Sequence, residues 1–93
     1  MKKLYLIGFD EFWKAYPRRV AKGAAMKSWN RIAPNDILLD EILKAIEIQK
    51  RSSQWQKDGG QFIPHPSTWL NQMRWEDEVD NNIFLGSKAT VIN

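Results

Sequence analysis

The chain has 93 residues, 14 Lys or Arg against 11 Asp or Glu, one His and no Cys. That allows one small domain and excludes disulfides and Cys-based zinc sites. No apolar run reaches the roughly 18–20 residues of a membrane span, and the patch Leu4-Tyr5-Leu6-Ile7 is too short for a signal peptide; the reading is a cytoplasmic protein with no membrane contact.

Asp10 reads as the cap of a first short helix, with Glu11 beside it favouring the positive end of the helix dipole. Phe9, Phe12, Trp13 and Tyr16 recur at helical spacing, and Pro17 ends the segment. A second helix is predicted from Ala21 to Ile32. Ala24, Ala25, Trp29 and Ile32 lie on one face, Gly23 weakens the start, and Pro34 closes the segment. The third is the clearest. Asn35 or Asp36 caps it, and it runs from Ile37 to about Ser53. Leu38, Leu39, Ile42, Ala45, Ile46 and Gln49 follow the 3.6 period.

Asp58-Gly59-Gly60 reads as a turn, and the residues before Pro64 and Pro66 are biased away from helix. A fourth helix opens at Pro66 or is capped by Ser67, passes Trp69, Leu70 and Met73, and runs on to Trp75 at most. The ends, Lys3 to Ile7 and Ala89 to Ile92, have strand-like composition and could pair.

These elements predict an all-α fold: a small bundle of three main helices plus a short fourth. The loop from Asp58 to Pro66 crosses it and carries Phe62 and Ile63 into the core, because a long loop with two prolines must be tied down. Residues 9–79 form the helical domain, 1–8 an extension and 80–93 a mobile tail.

Enzymatic chemistry finds no support. His65, the single His, is held between two prolines and reads as a loop residue packed on or bonded to a neighbour. No ligand spacing for a metal and no phosphate-binding glycine loop is present. No cofactor is expected.

Charge is the stronger signal. Residues 1–57 hold 12 basic and 6 acidic side chains, and residues 58–93 hold 2 and 5. Between Phe12 and Ile32 stand Lys14, Arg18, Arg19, Lys22, Lys27 and Arg31, with no acid among them. A basic turn feeding a helix start suits phosphate oxygens. The other reading is a solvated face that serves solubility. Five Trp in so short a chain build the core or a stacking surface. Trp13, Trp29 and Trp69, the last with Leu70 and Met73, read as core. Trp55 and Trp75 stay open as stacking or interaction groups, with Phe62 and the acidic run Glu76, Asp77 and Glu78 as further contacts.

Two stretches carry a resemblance. One is Phe9-Asp10-Glu11-Phe12-Trp13-Lys14-Ala15-Tyr16-Pro17-Arg18-Arg19 with Lys22, Trp29 and Pro34. The other runs from Trp55 through Gly59-Gly60-Gln61-Phe62-Ile63-Pro64-His65-Pro66-Ser67-Thr68-Trp69-Leu70 to Glu78. Over residues 9–78 the chain resembles a segment found near the C-terminus of bacteriophage and prophage replication proteins of the replisome-organiser or primosomal type. The resemblance implies a role in DNA replication, at origin initiation or helicase recruitment, and assigns no catalytic residue. Two functions follow as expectations. One is a non-enzymatic module that binds single- or double-stranded DNA. The other is an interaction module that docks a replicative helicase or its loader.

Overall fold

The computed structural model describes residues 7–78. The tail, most of the N-terminal extension and the proposed strand pairing lie outside the described residues.

Helix α1 spans Phe9–Ala15, and its cap is Gly8 rather than Asp10. Gly8 sits at φ 86°, and a Cβ there would come within 2.9 Å of Leu39 Cδ2. The left-handed φ favours glycine there, and the cap lies two residues upstream of Asp10. Asp10 and Glu11 then fall in the first turn, where the dipole still favours them. Tyr16 turns extended ahead of Pro17, which stops the helix.

Helix α2 spans Lys22–Ile32 between Ala21 and Ala33, both left-handed at φ 53° and 46°. Helix α3 spans Asp36–Lys50, and the Asn35 side chain accepts the Leu38 N–H at 2.8 Å. It stops short of Ser53 because Ser52 starts a new helix. The Ser52 hydroxyl donates to the Gln49 carbonyl at 2.7 Å and accepts the Trp55 N–H at 3.3 Å. The result is α4, Ser53–Gln56, which the sequence did not separate from α3.

A 3₁₀ turn, Lys57–Gly60, follows, with Asp58 and Gly59 at φ 52° and 67°. Helix α5 spans Pro66–Asn71, with Pro66 in its first turn. It does not reach Trp75: Met73 goes left-handed, and a separate 3₁₀ turn covers Arg74–Glu76. The described residues therefore form a small all-α bundle.

The core is largely aromatic. Phe12 packs between Trp29 at 5.1 Å and Trp69 at 6.0 Å, and Tyr16 packs against Trp69 at 5.7 Å and edge-on to Trp55 at 5.5 Å. Ile42, Ile46, Ile63 and Leu70 complete it. Helix α2 packs on α5, and α1 on α3. Inside this apolar mass Gln49 is buried with both ends used. It accepts the Trp69 indole N–H at 2.9 Å and donates to the Arg74 carbonyl at 2.8 Å.

The proline loop does cross the bundle. The Tyr16 hydroxyl donates to the Pro64 carbonyl at 2.7 Å, and Ile63 is buried. Phe62 is not: it is 48% exposed. Ile63 fills the space beside Gly60, and Phe62 stays at the surface with the Lys57 ammonium 5.5 Å from its ring. Ala24 and Met73 are exposed as well. The core face of α2 centres on Ala25 and Trp29, and Met73 lies beyond the end of α5.

Candidate nucleic-acid interface

The acid-free stretch from Phe12 to Ile32 becomes the end of α1, the connector and α2. Five of its six cations, Lys14, Arg19, Lys22, Lys27 and Arg31, are exposed, and Arg18 is half-buried. Among the described residues none of them is ion-paired to a carboxylate; the pairs present are Lys44–Asp40, Lys50–Glu47 and Arg74–Asp77.

The cations have different local duties. Arg18 donates to the Ile63 carbonyl at 2.8 Å and to the Gln61 carbonyl at 3.4 Å, so it fastens the connector to the proline loop. Arg19, itself exposed, donates from Nε to the Tyr16 carbonyl at 3.2 Å, which leaves its terminal nitrogens without a bond among the described residues. The Lys22 ammonium lies 5.7 Å from the centre of the Trp13 ring. Trp13 stacks on Phe9 at 5.7 Å and is half-buried rather than fully core. Lys27 and Arg31, four residues apart, share the outer face of α2, and Arg31 reaches Asn71 on α5. The start of α2 has no side-chain cap and no acid in its first turn. Its free N–H groups therefore add to the positive potential of the connector.

The aromatic candidates divide. Trp55, expected to be partly exposed, is only 6% exposed, because α4 turns it onto Tyr16. It is no stacking platform. Trp75 is half-buried against Trp69, with ring centres 5.9 Å apart. Phe62 alone of the three is exposed, with the Lys57 ammonium over its ring. Glu76, Asp77 and Glu78 are exposed, and Arg74 holds Asp77 at 2.8 Å. The His65 side chain is exposed, and its carbonyl accepts the Trp69 N–H at 3.0 Å.

One feature escaped the sequence. A groove of about 350 Å³ lies between Pro17 and the segment from Trp55 to Ile63. Its walls come from residues about forty positions apart, so no local pattern marks it. The trace it leaves in the sequence is Gly59-Gly60.

Taken together, the described residues define a small helical module with an unpaired basic connector. The chain belongs to the family of the Legionella vir region protein LvrA C-terminal domain, which matches residues 5–73. No curated protein and no solved structure matches it. The family description names neither phage nor replication. No helix among the described residues is long and apolar enough to cross a membrane.

Proposed function

We propose that the chain is a non-enzymatic, cytoplasmic module that grips nucleic-acid backbone in DNA replication of the phage type. The observation that carries this reading is the run of six cations without an acid, exposed or half-exposed and unpaired among the described residues, around an uncapped helix start. Lys14, Arg19, Lys22 and Lys27 are the phosphate contacts, with Arg31 beside them. Arg18 contributes charge while it holds the loop.

Four phosphate contacts give a steep salt dependence. Affinity should fall about 50-fold for a single strand and about 150-fold for a duplex between roughly 50 and 200 mM salt. Anisotropy titrations of labelled oligonucleotides measure this. Absence of binding at the lower salt would refute the reading. Arg19→Glu should weaken all sequences alike, whereas Arg18→Glu would also disturb the fold.

A second reading, docking of a replicative helicase or loader, is favoured by exposed Phe62 and the acidic run Glu76 to Glu78. Trp55 is lost to it as an anchor. Enrichment of a helicase or loader from host lysate by the wild-type chain, and not by Phe62→Ala, would support it.

A further inference from the structure

We infer that the groove beside the basic connector receives one unpaired base, which makes the ligand a single-stranded nucleic acid. This rests on the backbone-binding reading and adds to it a base subsite and a strand preference.

Position comes first. Pro17 is a wall of the groove and stands two residues before Arg19, a span of at most about 7 Å. Ile63 is another wall, and Arg18 bonds its carbonyl. Of the cations, Arg18 and Arg19 therefore border the groove. A phosphate held at Arg19 leaves the adjoining base at the groove's mouth.

The lining matches a base. Pro17, Ile63 and Trp55 line it with apolar groups, Pro17 exposed and the other two buried. Gln56 uses its Nε2 on the Lys50 carbonyl at 2.6 Å, so its side-chain oxygen is left to accept, and Lys50 also lines the groove. At Gly59 an added Cβ would meet no protein atom within 4 Å, so the backbone there lies open to a ligand. With about 350 Å³ the groove stands at the small end of ligand sites.

The charge around it is suited to a polyanion. Arg18, Arg19, Lys50 and Lys57 stand against Asp58 and Glu47, and Glu47 is bonded to Lys50. A nucleotide carries a flat apolar ring and an anion in each repeat. In a duplex the ring is stacked and paired, so only an unpaired strand can deliver it.

The test uses the full ¹⁵N-labelled chain and four probes: a thymidine octamer, an abasic octamer with the same phosphates, a duplex, and an acidic aromatic peptide. The thymidine octamer should shift the backbone amides of Gly59 and Gly60 and the indole N–H of Trp55. The abasic strand should move only the basic connector and bind about 5- to 160-fold more weakly. Equal affinity of the two strands, with the glycine amides unmoved, overturns the base subsite and leaves backbone binding intact. A duplex that moves the glycines as strongly overturns the strand preference. If no probe binds, both readings fall. If an acidic aromatic peptide moves Gly59 and Gly60 while the octamer does not, the groove serves a protein and the inference fails.

Discussion

Gln49 shows how much one side chain settles. Its place on the buried face of α3 is legible in the 3.6 period. Its two partners are not, because Trp69 and Arg74 lie 20 and 25 residues further on. Gln49→Leu would keep the volume and leave the Trp69 indole N–H without a partner, while the Arg74 carbonyl keeps the Asp77 N–H at 3.1 Å, for a loss of about 1–3 kcal/mol. Urea unfolding measures it. Adding Trp69→Phe removes one orphaned donor, so the double variant should cost less than the two single changes summed. Arg18 teaches the same lesson for the candidate site. The sequence marks it as a cation, and only the fold shows its guanidinium spent on the loop carbonyls of Gln61 and Ile63. The groove was hidden for this reason too, since Pro17 and Trp55 meet only through tertiary packing.

At the scale of elements, α2 has its small residues in unfavourable places. Gly23 sits inside the helix, where an added Cβ would meet nothing within 4 Å. Ala33 ends it at φ 46°, where glycine is at ease. Gly23→Ala and Ala33→Gly should each raise stability by about 0.5–1 kcal/mol, seen as higher denaturant midpoints with an unchanged slope. The helices themselves were legible from capping residues, prolines and apolar periods. The split of α3 from α4 was not, because Ser52 reads equally as a fraying end and as a new cap. Phe62 and Ile63 are equally apolar neighbours, and only the space beside Gly60 decides which of them is buried.

For the molecule as a whole, Tyr16 couples the fold to pH. Burial pushes its phenol well above the usual value, against the opposing pull of the Arg74 and Arg18 charges. Below pH about 10 the phenol is protonated in both the folded and the unfolded chain, and stability does not depend on it. Above that, the unfolded chain releases the proton first, so stability should fall by up to about 1.4 kcal/mol per pH unit. Denaturant titrations from pH 8 to 11 test this. Tyr16→Phe should flatten the alkaline slope, at a cost of about 1 kcal/mol near neutrality for the lost bond to Pro64. That bond also has a consequence in time. It joins residues 48 positions apart, and Arg18 reaches 45 positions to Ile63. Helices α1 to α3 emerge first during synthesis, yet Ile63, Trp69 and Leu70 must close over Phe12 and Trp29 before the core is sealed. Until then the nascent chain presents an open aromatic face, and the basic connector has no loop to hold. The same late closure that completes the core also builds the groove.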